Sequence, residues 1–167
     1  LSRRGDKAMT GEKQTRSDSM STPIDRNRLI VPQVAPLYSA GHESVETILR
    51  VVAGLLLVTH GYGKIMNPFG AVGMVEGLGF YPGVFWSPLL AATEFFGGIL
   101  VAIGLFTRPA SLAAAIVLLV TVYFHGIVKA EGLGGAEKSI LWTTIFIFFA
   151  IRGGNSHSVD ARLKKVF

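Results

Sequence analysis

Five side chains capable of acid–base chemistry stand in or beside otherwise apolar stretches: His60, Lys64, Glu94, His125 and Glu137. Glu94 is the sharpest of them. It is the single charge in the twenty residues 87–106, and a carboxylate in such a run is costly unless it is paired, protonated or wetted. His60 and Lys64 are four apart, which on a helix places them on one face. Imidazole titrates near neutral pH, and carboxylates and amines carry protons when burial and neighbours tune them, so the set suits proton transfer. Tyr62, Trp86, Tyr123 and Trp142 add aromatic surface that could wall a ring or anchor at a membrane boundary. Each residue also has a plainer use. The histidines can bond backbone carbonyls, Glu137 can sit at a helix N-terminus for its dipole, Lys64 can reach headgroups, and Glu94 can hold helix register through an ion pair.

The elements that must position these groups are membrane helices. The stretch 87–106 would rise about 30 Å as a helix, the thickness of a bilayer core. Half of the 167 residues are hydrophobic against 16 % charged, and the mean hydropathy of +0.47 is too high for one soluble core of this size. The expected fold is all-α: a transmembrane four-helix bundle behind a disordered N-terminal tail. The net charge of +5 lies mainly at the chain ends, where it matches anionic headgroups, and no nucleic-acid-binding motif accompanies it. With no cysteine, the chain by itself performs no thiol, disulfide or iron–sulfur chemistry.

Residues 1–43 lack helical or strand period and are expected to be the disordered cytoplasmic tail. Met20-Ser-Thr-Pro resembles a bacterial start, so residues 1–19 are expected to lie outside the native protein. The domain 44–152 should hold four spans. The first runs over 45–63 with Ser44 as N-cap and Arg50 snorkelling to the near interface. Residues 65–86 are rich in Gly and aromatics and predict a short amphipathic or re-entrant element at the interface, anchored by Tyr81 and Trp86. The second span is 87–106, with Pro88 in its first turn and Gly97 and Gly98 allowing close approach on the Glu94 face. Thr107-Arg108-Pro109 predicts a turn with Thr107 capping a third span that ends near His125. Residues 129–135 predict a loop, and the fourth span covers 136–151 with Glu137 opening it. Residues 153–167 form the expected cytoplasmic C-terminal tail.

The two ends and the turn between the second and third spans collect thirteen of the Lys and Arg residues, against Lys64, Lys129 and Lys138 on the other side. The positive-inside rule then puts both termini in the cytoplasm. His60 falls about 22 Å up the first span and His125 about 24 Å up the third, while Glu94 lies roughly 10 Å in from the same side. The polar set is therefore expected to converge in the outer half of the bundle. Three apparent motifs carry little: Thr59-His60-Gly61-Tyr62-Gly63 lacks a pore helix, paired histidines alone do not establish haem, and Gly132–Gly135 before Lys138 lacks the second glycine of a phosphate loop.

In order along the chain, His60-Gly-Tyr-Gly-Lys64, Glu94-Phe-Phe-Gly97-Gly98, Gly104-Leu-Phe-Thr107-Arg108-Pro-Ala, His125 and Gly135-Ala-Glu137 resemble the DoxX family of small bacterial membrane proteins. The ending Ser158-Val-Asp160 is similar to that family's Ser-Leu-Asp, with altered residues before it. The resemblance covers about 45–162. It implies four transmembrane helices in the cytoplasmic (inner) membrane and association with redox enzymes, in some members as the small subunit of a thiosulfate:quinone oxidoreductase. The expectation that follows is a quinone-linked subunit or accessory partner. Glu94, His60 and His125 would handle protons, and Lys64, Glu137 and the four aromatics would bind. No covalent cofactor and no metal are expected, electrons come from a redox partner protein, and a homo-oligomer stays open. The alternatives are a non-catalytic anchor or assembly protein and, more remotely, a small-solute or proton transporter.

Overall fold

The computed structural model describes residues 29–163 of the chain. The expectations for residues 1–28, including the start at Met20, lie outside them. Among the described residues, 29–42 belong to one unit and 43–163 to a second. In the first, a turn at Pro32–Val34 leads into the helix that begins at Ala35. The stretch 35–43, expected in the tail, is therefore helical.

Among the described residues four helices are long and apolar enough to cross a membrane. Helix α1 is Ala35–Met66 and a short α2 is Val72–Gly77. Helix α3 is Gly83–Ile103, α4 is Thr107–Val128 and α5 is Gly132–Arg152. Several expected boundaries move. Ser44 lies inside α1 rather than capping it. Pro88 is the sixth residue of α3, where it lacks an N–H to donate to Val84 four residues back. The expected loop 129–135 keeps only 129–131, because Gly132, with φ +63, turns the chain straight into α5. The fourth span thus has 21 residues, and Glu137 sits in its second turn.

Close approach of α1 and α3 depends on glycine. A Cβ on Gly54 would lie 2.6 Å from the Ala102 nitrogen and the Gly98 carbonyl, and one on Gly61 would lie 2.5 Å from the Phe95 nitrogen. Between membrane helices such small-residue seams replace the hydrophobic drive that water supplies elsewhere. On the other side α4 packs along α5, and Ala110, Ser111, Ala114 and Ala115 of α4 and Phe146 and Phe149 of α5 are buried. The core joins Ala53, Leu57, Val101, Ala114 and Phe146, one or more from each long helix.

Two helices carry a π-turn. Hydrogen bonds in α3 widen over Thr93–Gly97, and those in α4 widen over Phe124–Val128. Glu94 and His125 occupy these turns. Such bulges inside membrane helices rotate the following side chains and are common at functional sites.

Candidate functional site

At one end of the bundle α1 finishes, α3 begins, α4 finishes and α5 begins. Glu94, the twelfth of the 21 residues of α3, lies about 16 Å in from that end, near the middle of its helix rather than in the outer half, and is 6 % exposed between α1 and α4. Gly61 brings the α1 backbone against it, and Lys64, one turn further, ion-pairs with its carboxylate. The Lys64 side chain is 34 % exposed and that of Glu94 8 %, so the anion is the buried member. Burying an unpaired carboxylate would be prohibitive, and the ammonium makes it tolerable.

The other expected residues divide. His60 bonds the Leu56 carbonyl through Nδ1 at 2.8 Å, its ring 6.5 Å from that of Trp142, which stacks on Phe146. Tyr62 lies 6.4 Å from Phe95, the residue after Glu94. Tyr62 thus packs beside the residue that follows Glu94, while His60 precedes Lys64 by one turn and faces Trp142 of α5. His125 instead meets Glu131, Nδ1 to Oε2 at 2.8 Å, and Lys129 approaches the other oxygen at 3.9 Å. Both histidines lie toward the same end of the bundle, as expected, yet neither bonds Glu94. Glu137 is exposed on α5 and takes no part in these pairs; Glu131, placed by the sequence in a loop, does. Tyr123 lines a separate open groove of about 420 Å³ between α4 and α5, with Leu119, Ile127, Leu133 and Ile140. Trp86 donates to the Tyr81 carbonyl at 3.3 Å and packs with Phe80 and Phe85, two turns from Glu94.

The opposite end holds the residue that sequence reasoning misplaced. Arg50 does not snorkel: it is 1 % exposed. Its Nη1 donates at 2.8 Å to both Val101 and Ala102 carbonyls at the C-terminus of α3, and Nη2 donates to His157 O at 3.1 Å. A guanidinium there supplies a charged donor to the last carbonyls of the helix, of which that of Val101 also accepts from the Gly104 N–H at 3.1 Å, and matches the negative end of the helix dipole. Gly104, with φ +74, closes α3, and a Cβ on it would lie 2.5 Å from Arg50 Nη1. Residues 153–163 are no free tail. Asp160 accepts from the Phe106 and Thr107 N–H groups at 2.8 and 2.9 Å and from Thr107 Oγ1 at 2.6 Å. It thus does the capping of α4 assigned to Thr107. Asn155 donates to the Glu43 carbonyl, and Arg152 bridges Glu46 at 3.2 Å. The Ser158-Val-Asp160 ending was the available signal for this cap, but not for its contact with Arg50.

Four spans, a buried acid paired to a lysine within the bundle and a buried arginine locked under a folded C-terminus at one end define a small polytopic membrane protein. A family model described as DoxX matches residues 45–126. The chain is 32 % identical over 120 residues to a protein of Escherichia coli (strain K12) named "Inner membrane protein YqjF", covering 71 % of this chain and 91 % of that one. It is 30 % identical over 113 residues to a protein of Bacillus subtilis (strain 168) named "Putative oxidoreductase CatD", covering 68 % and 82 %. The chain belongs to the DoxX family. No solved structure gives a significant match.

Proposed function

We propose that this chain is a quinone-linked subunit or accessory partner of a membrane oxidoreductase in the bacterial inner membrane, with both termini cytoplasmic. The observation that carries the reading is the Lys64–Glu94 pair: a carboxylate 6 % exposed inside a membrane span, held on a π-turn against a cation. Reducing a quinone to a quinol takes two electrons and two protons. Glu94 supplies or relays a proton, and Lys64, relieved of part of its bond to Glu94, stabilises negative charge on a quinone oxygen. His60, one turn along the same face from Lys64, is the next titratable group, with Trp142 beside it. Tyr62 and Phe95 supply aromatic wall. His125–Glu131 is a second proton-exchanging pair at the same end of the bundle. Electrons come from a partner protein, since this sequence has no cysteine and no flavin or nicotinamide motif. The names of the two relatives agree with this class and membrane.

The test is purification in mild detergent with whatever partner follows, then quinone-dependent turnover of wild type and Glu94→Gln. Turnover falling at least tenfold, with partner binding kept and only a small drop in melting temperature, is expected. Unchanged turnover sinks the reading. A second reading, a non-catalytic anchor, is favoured by the way the same ion pair and Gly61 close the α1–α3 seam. It predicts that Glu94→Gln loses the folded protein or its partner rather than the chemistry. Reporter fusions to each terminus check the orientation; an external C-terminus contradicts it.

A further inference from the structure

Between Glu94 and the end of the bundle covered by residues 153–163 there is no group that could hand on a proton. Leu57 and Ala53 of α1, Val101 of α3, Ala114 of α4 and Phe146 of α5 form one core there, none more than 4 % exposed. Val101 lies seven residues, about 10 Å, beyond Glu94. No ionisable residue occurs in 51–59, 95–106, 109–122 or 140–151, which carry the four long helices from this end past that core. Hydroxyls do not fill the gap: Thr59, Thr121, Thr143 and Thr144 each donate to a carbonyl of their own helix, and Ser111 Oγ is buried with no partner. The first charge met is Arg50, 1 % exposed and fixed by the Val101, Ala102 and His157 carbonyls. Ser158, 3 % exposed, closes over it, for a Cβ on Gly104 would lie 2.5 Å from both Arg50 Nη1 and Ser158 Cβ. Arg50 Nε has no partner, so a water held there would stand against a guanidinium. Toward the other end the ionisable groups resume. Lys64 bonds Glu94 with its side chain 34 % exposed, and His125, Glu131 and Glu137 lie beyond. Of the helices packed on Glu94, α1 offers it Lys64, and α4 has no ionisable group between Arg108 and Tyr123.

We propose that Arg50, under the folded 153–163 segment, is a proton barrier: Glu94 exchanges its proton only with the water phase at the end where α1 finishes, and the bundle conducts no proton across the membrane. A fixed guanidinium in a low-dielectric interior repels hydronium and other cations, and the apolar core behind it passes nothing on. Arg50 therefore sets the side from which protons are drawn without touching the reacting groups. In the orientation proposed above, that side is the external one. The inference takes Glu94 as the proton-handling group of the proposed function.

The full chain is reconstituted in sealed liposomes in one orientation, checked by protease access to a C-terminal tag. One face is buffered mildly acid and the other mildly alkaline, in each sense in turn. A lipid-soluble carbodiimide, which attacks protonated carboxyls and crosses the bilayer, is added, and modified carboxyls are located by peptide mass. Glu131 and Glu43, with side chains 41 % and 31 % exposed at opposite ends, report the pH of each face. Acid on the face where α1 finishes is expected to speed Glu94 labelling severalfold, and acid on the face covered by 153–163 to leave it unchanged. Acceleration from the covered face, from both faces or from neither overturns the proposal. In folded Arg50→Gln, acid on either face is expected to speed labelling, and unchanged sidedness overturns the part given to Arg50. Should that variant fail to fold, the wild-type sidedness decides, together with a pH-sensitive dye inside the liposomes, which is expected to show no proton leak above that of empty ones. A leak carried by the wild-type chain overturns the barrier. One-sided labelling with normal turnover of Glu94→Gln keeps the barrier and removes the proposed function. Two-sided labelling with lost turnover does the reverse.

Discussion

Glu94 and Lys64 are unequal partners, and their substitutions should show it. Glu94 is the buried member, so Lys64→Met strands an anion; breaking a buried pair costs about 3–5 kcal/mol, less here because Lys64 is a third exposed. Glu94→Gln leaves a neutral amide in the bundle and a lysine able to reach the boundary, so it should cost less. The expected order of melting temperature in detergent is wild type, Glu94→Gln, then Lys64→Met, with the double variant recovering part of the last loss. Equal losses from the two single changes would contradict this asymmetry. Arg50→Met should be as damaging, because three carbonyls lose a charged donor, and hydrogen bonds to charged groups contribute about 1.5–3 kcal/mol each. Circular dichroism melting checks it, and Arg50→Lys, with a point charge in place of a fork, should rescue it only partly. At this scale the sequence was informative about Glu94 and silent about Arg50. A lone acid amid apolar residues announces its cost, whereas an arginine one or two turns inside a span is equally compatible with snorkelling and with burial.

Element by element, the outcome turns on backbone approach. Gly54→Leu would force a side chain into the Gly98 carbonyl and the Ala102 nitrogen, and overpacking typically costs about 1–3 kcal/mol, more where backbone must move. Loss of monodisperse protein on size exclusion is expected, while Gly63→Ala, with nothing within 4 Å, should behave as wild type. The contrast matters because both glycines lie in the same helix. Helical hydrophobicity revealed that α1, α3, α4 and α5 exist, and Gly97–Gly98 hinted at the α3 seam. It could not reveal the π-turns, since a five-residue hydrogen-bond pattern leaves no compositional mark. It also put the start of α5 four residues late, because three glycines among 132–135 read as loop when the neighbouring α4 is not in view.

Across the second unit, the C-terminal segment fastens the end of the bundle where α3 finishes and α4 begins. Asp160→Ala removes three bonds to the start of α4, and loss of a helix cap costs about 0.5–2 kcal/mol. Truncation after Arg152 removes that cap together with the His157 carbonyl over Arg50. Its melting temperature should therefore fall below that of Asp160→Ala, and an unchanged value would show residues 153–163 to be dispensable. Length, hydropathy and charge distribution by themselves settled that the chain is helical, spans a membrane four times and places an acid inside. Those properties follow from the transfer of each segment between water and lipid, which is a sum over neighbouring residues. Tertiary structure alone decided which base meets that acid, that Arg50 faces inward and that the tail becomes a cap. These pairings join residues 30 to 107 positions apart, and their energies depend on distances that no stretch of sequence contains.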